Sequence, residues 1–298
     1  MTRPTLLVLA AGMGSRYGGL KQLDPVGPGG ETLLDYSVHD AGRAGFDRVV
    51  FLIRRDIEKE FREKIGARYD GKIAVDYAFQ QLDELPAGFT PPAGRTKPWG
   101  TAHAIWCARH CVGAPFAAIN ADDFYGADTF AQIGGFLSAV PAAGRPARFG
   151  MVAYRLDKTL SDHGTVARGV CRVDEHGFLA SIEELTDIQR GPEGTIVSGG
   201  HTLAPDTPVS MNIWGFTPQV FPLLEKSLAS FLGQHAASEK AEYYIPTAVG
   251  DMISAGEATL RVMATGSEWF GVTYRDDRPR VVESIHRLVS SGAYPEQL

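Results

Sequence analysis

The sequence predicts an α/β fold in which a mostly parallel central sheet carries helices on both faces. The apolar run Leu6–Ala11 ends at a glycine-rich turn, which is typical of a parallel strand buried on both faces. Apolar runs then alternate with amphipathic segments as far as Asn120, and this alternation indicates right-handed strand-helix-strand crossovers. After Arg148 strand-like segments dominate, so the second half of the sheet is expected to be mixed.

The elements of the first half follow from their apolar spacing and from the residues that end them. The strands expected after Leu6–Ala11 are Arg48–Ile53, Ile73–Phe79 and Phe116–Asn120, and the helices are Thr32–Ala44, Ile57–Ile65 and Thr101–Cys111. The segment Asp83–Trp99 contains four prolines and is predicted to be a long loop. Because it lies beside the carboxyl edge of the sheet, where ligands bind in such folds, we expect a lid with an exposed Arg95.

The second half reads as strands with three helices placed between and after them. The predicted strands are Phe149–Leu156, Thr165–Val173, Phe178–Glu184, Val209–Phe216, Leu260–Thr265 and Trp269–Thr273, and the predicted helices are Pro218–Leu232, Tyr243–Ala255 and Pro279–Ser290.

Charge and cysteine content exclude several classes of protein. The 298 residues include 29 Lys and Arg against 35 Asp and Glu, a net charge of −6, and no basic run suits a nucleic acid. The three cysteines, Cys107, Cys111 and Cys171, form no disulfide framework, which favours the cytoplasm. The run Leu6–Ala11 is too short to cross a membrane, so no membrane partner is expected.

The turn after the first strand has the composition of a phosphate-binding loop. Gly12 and Gly14 lack side chains, so backbone N–H groups can approach phosphate oxygens, and Arg16 and Lys21 add two cations. Tyr17 stands where a dinucleotide-binding fingerprint needs glycine, and the Gly-Lys-Ser/Thr of a Walker loop is missing. The pattern therefore predicts a site for a triphosphate whose leaving group gains charge.

Three motifs in order resemble those of the sugar-1-phosphate nucleotidylyltransferases. They are Leu9–Arg16 with Leu20–Gln22, Tyr77–Gln80 with Gly100–Ala104, and Asn120–Gly126. The resemblance implies a three-layer, Rossmann-like nucleotidyltransferase fold forming a single domain over 1–298, with a nucleotide-binding half at 1–145 and an acceptor-binding half at 146–298. It also implies transfer of a nucleoside monophosphate from a nucleoside triphosphate, UTP or dTTP in the first instance, to a sugar 1-phosphate.

The resemblance carries roles to individual residues. Catalytic roles fall on Arg16 and Lys21, nucleotide contacts on Leu9, Ala11, Gly12, Gly14, Gln80, Gly100 and Thr101, and sugar contacts on Gly164, Glu184 and Asn212. Mg²⁺ is assigned to Asp122 and Asp277, with Asp123 and Asp276 in reserve. One or two carboxylates suffice for Mg²⁺ because it keeps several water ligands.

Two departures from the family pattern leave alternatives open. The family often has a lysine directly after the sugar-binding glutamate, where this chain has Leu185, and Gly271–Thr273 lacks the expected second carboxylate. Two alternatives therefore stay open. One is nucleotidyl transfer to a non-sugar phosphate acceptor, and the other is a catalytically degenerate nucleotide-binding protein. The stripe His103, Cys107 and Cys111 suits buried packing better than zinc, and both a monomer and a homo-oligomer are open.

Overall fold

Within the described residues, eleven strands form one sheet and two further strands pair separately. The computed structural model describes residues 3–12, 24–161, 163–191, 194–235, 237–271 and 275–298, without the side chain of Arg275. The strands are β1 (Thr5–Leu9), β2 (Arg48–Ile53), β3 (Ala74–Phe79), β4 (Phe116–Asn120), β5 (Asp123–Phe124), β6 (Ala147–Arg155), β7 (Val166–Val173), β8 (Leu179–Arg190), β9 (Ile196–Ser198), β10 (His201–Leu203), β11 (Pro208–Phe216), β12 (Ala258–Ala264) and β13 (Phe270–Gly271). The helices are α1 (Leu33–Arg43), α2 (Glu58–Lys64), α3 (Thr101–Cys107), α4 (Ala127–Ala139), α5 (Val220–His235), α6 (Ile245–Ser254) and α7 (Arg278–Ser290).

The sheet is parallel in its first half and mixed in its second. Strands β4, β1, β2 and β3 lie side by side and parallel, and β11 joins β4 in the antiparallel sense. One edge of β11 pairs with β6. The other edge of β11 pairs with β7 along its first part and with β4 along its last part. Strands β7 and β4 therefore diverge from each other beside β11. The predicted α/β fold with a mixed second half is confirmed.

Helices cover both faces of the sheet, which gives the three expected layers. Trp106 of α3, Leu224 of α5 and Val249 of α6 belong to the apolar cluster on one face. Leu34 of α1 and Phe130 of α4 belong to the cluster on the other. These side chains are buried, and burial of each large apolar side chain contributes about 1.5–3 kcal/mol relative to exposure.

Local chemistry explains where several elements begin. Helix α1 starts at a capping box, in which Thr32 and Asp35 satisfy each other's backbone N–H groups. Helix α3 starts at Gly100, whose φ is 99° and whose α-carbon faces the Tyr243 backbone. A β-carbon there would lie 2.5 Å from the Tyr243 carbonyl oxygen, so only glycine fits.

The element boundaries differ from expectation where pairing is long-range. The helix predicted over Thr101–Cys111 becomes a 3-10 turn at Ala108–His110, and β8 extends to Arg190 rather than stopping at Glu184. Strands β9 and β10 were not predicted, because each has three residues and depends on pairing with β8. No helix within the described ranges is long and apolar enough to cross a membrane.

The loop 83–99 is fastened to the second half of the chain. The guanidinium of Arg95 is buried and donates to the carbonyls of Pro98, Ser238 and Ala241 at 2.7–2.9 Å. It also stacks on the buried Trp99, 3.4 Å from the ring centroid. The expectation that Arg95 is exposed is therefore wrong: its guanidinium and the Trp99 ring pack inward, which the loop's prolines and glycines did not reveal.

Candidate active site

The candidate active site is a cavity at the point where β7 and β4 part along β11. Its volume is about 300 Å³, and its wall includes the polar residues Asp122, Asp123, Arg168, Glu184, Ser210 and Asn212. The cavity thus brings together residues that the sequence assigned to different halves of the chain: Asp122, Asp123, Glu184 and Asn212. A second, larger cavity of about 1080 Å³ lies at the opposite end of the strands, beside Arg3, Phe46 and Ala74.

The predicted phosphate-binding turn begins next to this cavity. Leu9, the last residue of β1, pairs in register with Asn120, the last residue of β4. Ala11 is buried and Gly12 is exposed, and among the described residues no atom beyond its chain neighbours lies within 4 Å of where a Gly12 β-carbon would be. The described residues therefore leave room for a ligand beside Gly12. Gly14, Arg16 and Lys21 lie outside the described residues.

The end of β4 is held in place by one buried tyrosine. The Tyr125 hydroxyl accepts from the Asn120 N–H at 3.1 Å and lies 3.0 Å from the Met211 carbonyl and 3.3 Å from Asp123 Oδ2. Asn120 Nδ2 also donates to Asp123 Oδ2, at 2.9 Å. Asp123 is thus oriented by neighbouring side chains, and Asp122 lines the cavity beside it.

The opposite wall contains a strained backbone position. Asn212 has a φ of 59°, and the register of β11 against β6 shifts between Ser210 and Trp214. Its Oδ1 accepts from the Trp214 indole at 3.3 Å. Asparagine tolerates the left-handed region better than most residues, and such strain is often found at functional sites.

Arg168 and Gly169 of β7 line the cavity and were not singled out from the sequence. Arg168 is 8% exposed, and burial lowers its pKa to about 10 while Asp123 and Glu184 oppose that shift. Burial raises the pKa of Glu184, and Arg168 opposes it. The signal available in the sequence was an adjacent arginine and glycine in the middle of a mostly apolar strand.

Gly164 does not line the cavity but precedes β7. Gly169, five positions later, is the glycine beside Glu184, its register partner in β8. A β-carbon on Gly169 would lie 2.9 Å from Ile182 Cδ1, so the position is tightly packed.

Gln80 has a fixed orientation at the end of β3. His103 Nε2 lies 2.6 Å from the Glu84 carbonyl, so Nε2 carries the proton, and burial lowers the pKa of this histidine to about 4. His103 Nδ1 therefore accepts from Gln80 Nε2 at 3.1 Å, and the same amide lies 3.3 Å from the Gly100 carbonyl. Both amide N–H groups face the protein, which leaves Gln80 Oε1 as an acceptor.

Thr101 has a structural partner and does not line the cavity. Its hydroxyl accepts from the Ile245 N–H at 2.9 Å, which joins the first turns of α3 and α6. The stripe of α3 packs inward as expected: His103 and Cys107 are buried, and burial raises the pKa of the Cys107 thiol to about 12.

The carboxylates proposed for a metal are not all in one place. Asp122 and Asp123 line the main cavity. Asp277 is buried before α7, accepts from the Ser161 hydroxyl at 3.1 Å and lines a neighbouring cavity of about 30 Å³ that shares Arg168 and Trp269. Asp276 is exposed. Within the described ranges no group of three or more His, Cys, Asp or Glu residues is placed to hold a metal. The hard oxygens of Asp122 and Asp123 still fit Mg²⁺, which needs few protein ligands when substrate phosphates supply others.

Comparison with known proteins agrees with this geometry. Residues 6–82 match the MobA-like NTP transferase domain. A segment of 103 residues is 32% identical to a UTP–glucose-1-phosphate uridylyltransferase of Komagataeibacter xylinus and covers 30% of this chain and 34% of that relative. The chain thus spans about a third of the length of the relative it matches.

Solved structures extend the likeness over nearly the whole chain. A putative glucose-1-phosphate thymidylyltransferase from Bacillus anthracis superposes with a TM-score of 0.61 at 14% identity, covering 94% of each chain. The inositol-1-phosphate CTP transferase of T. maritima gives 0.62 at 15% identity, covering 96% of each chain. A UDP-glucose pyrophosphorylase complexed with UDP-glucose gives 0.60 at 15% identity, covering 96% of this chain and 99% of that one.

This is the nucleotidyltransferase fold. The resemblance to sugar-1-phosphate nucleotidylyltransferases that the three motifs indicate is confirmed by the matched domain and the matched relative. In this fold the cavity is lined by residues from both 1–145 and 146–298.

Proposed function

We propose that the protein transfers a nucleoside monophosphate from a nucleoside triphosphate, UTP or dTTP in the first instance, to a sugar 1-phosphate, with release of pyrophosphate. The observation that carries this proposal is the pairing of Leu9 with Asn120, which sets the start of the phosphate-binding turn beside Asp122. Glu184 and Asn212 complete the same cavity from the other half. A triphosphate and an acceptor can therefore meet at one point.

The chemistry needs positioning and charge stabilisation more than proton transfer. An oxygen of the acceptor phosphate, already ionised at neutral pH, attacks the α-phosphorus, and the bond to the β-phosphate oxygen breaks as pyrophosphate leaves. We assign stabilisation of the leaving pyrophosphate to Arg16 and Lys21, and backbone donors to Gly12 and Gly14. Asp122, with Asp123 in support and Asp277 as a further candidate, would hold Mg²⁺, which supplies positive charge to the phosphates when bound.

The remaining assignments concern recognition. Gln80 Oε1 is an acceptor for an N–H of the base, because both of its amide protons are engaged by His103 and Gly100. Glu184 and Asn212 are assigned to acceptor hydroxyls, and Gly164 is retained only as a neighbour of that region. The continuous sheet supports a single domain over 1–298. The three free cysteines support a cytoplasmic location.

A second acceptor class is favoured by two observations. Leu185 stands where the family often has a phosphate-binding lysine, and one structural neighbour is an inositol-1-phosphate CTP transferase. The second candidate is therefore transfer to a non-sugar alcohol phosphate by the same catalytic half.

A substrate panel tests the proposal. The purified protein is given each of UTP, dTTP, CTP, ATP and GTP with Mg²⁺, against glucose 1-phosphate, other hexose 1-phosphates and inositol 1-phosphate, and released pyrophosphate is measured. We expect release only when a nucleoside triphosphate and a phosphorylated acceptor are both present. If inositol 1-phosphate is the only acceptor that gives release with a nucleoside triphosphate, the second candidate is selected. No release with any pair would indicate a degenerate nucleotide-binding protein.

A further inference from the structure

We propose that Arg168 binds the phosphate of the acceptor and takes the place of the lysine that the family often has at the position of Leu185. This inference rests on the proposed function. It names the source of a positive charge that the sequence leaves unassigned.

The strand register places the two positions opposite each other. Arg168 of β7 and Leu185 of β8 are paired residues of the antiparallel ladder, and the next pair is Gly169 with Glu184. Directly paired residues put their side chains on the same face, with β-carbons about 4.5–5.5 Å apart. Leu185 packs against the apolar cluster. A cation lost from β8 is therefore matched by a cation one strand away on the same face.

The charge balance of the cavity favours such a cation. Asp122, Asp123 and Glu184 line it, and Arg168 is the only cationic side chain among its described lining residues. A phosphorylated acceptor entering three carboxylates would be repelled. Arginine also suits a phosphate monoester, because its planar group offers parallel N–H donors.

The guanidinium is held in place with donors to spare. It donates to the carbonyls of Ala167 at 2.7 Å and of Thr159, and lies 4.9 Å from the centroid of the Trp269 ring. An arginine has five N–H groups, so these two bonds leave three. Nε is buried without a hydrogen-bond partner among the described residues. A buried N–H donor without an acceptor destabilises the fold. A bound phosphate would supply the acceptor that the packing around Arg168 does not.

A charge-relocation experiment tests the proposal. Arg168→Met keeps an apolar stem of similar length, and Arg168→Met with Leu185→Lys returns the cation to the opposite strand. Arg172→Met, an exposed arginine on the same strand that does not line the cavity, is the matched control. The rate of pyrophosphate release is measured while the concentration of glucose 1-phosphate is varied, and again while that of nucleoside triphosphate is varied. The two series give a separate KM for each substrate.

We expect Arg168→Met to raise the KM for glucose 1-phosphate by about 10- to 100-fold, the range for losing charge-assisted hydrogen bonds, and to change the KM for nucleotide less than about twofold. Inorganic phosphate should inhibit the wild type competitively against glucose 1-phosphate and the variant far less. The double variant should recover most of the loss, and Arg172→Met should match the wild type. Arg168→Lys, which keeps the charge, serves if Arg168→Met does not fold, and should give an intermediate KM.

The outcomes separate this inference from the proposed function. If the wild type turns over but the Arg168 variants keep its KM for glucose 1-phosphate and its inhibition by phosphate, Arg168 is not the clamp. If the KM values for nucleotide and acceptor rise together and Leu185→Lys gives no recovery, Arg168 is structural. If the wild type releases no pyrophosphate with any pair, the proposed function fails, and calorimetric binding of glucose 1-phosphate to the wild type and Arg168→Lys still tests the clamp.

Discussion

The hydroxyl of Tyr125 offers the sharpest test of how the two halves of the candidate site are joined. It is fully buried and connects the Asn120 N–H at the end of β4 to the Met211 carbonyl beside the strained Asn212. Tyr125→Phe removes only this oxygen. The ring keeps its packing, so almost all of the effect comes from hydrogen bonding.

The magnitude follows from the groups left behind. The Asn120 N–H and the Met211 carbonyl would each lose their tyrosine partner, at a cost of about 1–3 kcal/mol each when no water replaces it. We therefore expect the free energy of unfolding to fall by about 2–6 kcal/mol. At about 2–4 °C per kcal/mol, the Tm should fall by about 4–24 °C.

Urea denaturation of the wild type, Tyr125→Phe and Tyr244→Phe measures this effect. Tyr244 is the matched control, because its side chain is exposed and its hydroxyl donates to Glu242 Oε2 at 2.7 Å. Its removal should change stability by less than about 1 kcal/mol. If Tyr125→Phe unfolds within about 0.5 kcal/mol of the wild type, the hydroxyl does not hold the two strands together and the reasoning is refuted.

Three other predictions test the site, a buried carboxyl and the long loop. Asp122→Asn should abolish Mg²⁺-dependent pyrophosphate release while leaving the urea midpoint unchanged, and retention of activity would contradict its metal role. Burial raises the pKa of Asp40 to about 6, above its ordinary 3.8, although Tyr294 donates to it. The folded protein then binds more protons than the unfolded chain between these values, so stability should fall by about 2–3 kcal/mol as pH rises from about 4 to 6 and then level off. Asp40→Asn should flatten that slope, and an equal slope in both proteins would refute this. Trypsin should cut after the buried Arg95 more slowly than after the exposed Lys240, with or without nucleotide; rapid cutting at Arg95 that nucleotide slows would restore the lid.

The sequence by itself determined the parts of the protein that depend on neighbours along the chain. The burial of β1 and the alternation of strands and helices as far as Asn120 come from local apolar spacing. The position of Asp122 after a buried strand was also readable, because parallel strands end at a common edge. Glu184 and Asn212, which are predicted to contact a sugar, came from resemblance, and they do line the same cavity as Asp122.

The tertiary structure alone decided which distant residues face each other. The pairing of Arg168 with Leu185, and of Gly169 rather than Gly164 with Glu184, is set by strand register. A shift of one residue would move every side chain to the other face, and no local pattern records which register wins. The burial of Arg95 likewise depends on the carbonyls of Ser238 and Ala241, more than 140 positions away in the chain. Such contacts form only when the packed fold brings the segments together, so the sequence gives the residue types and the fold gives their partners.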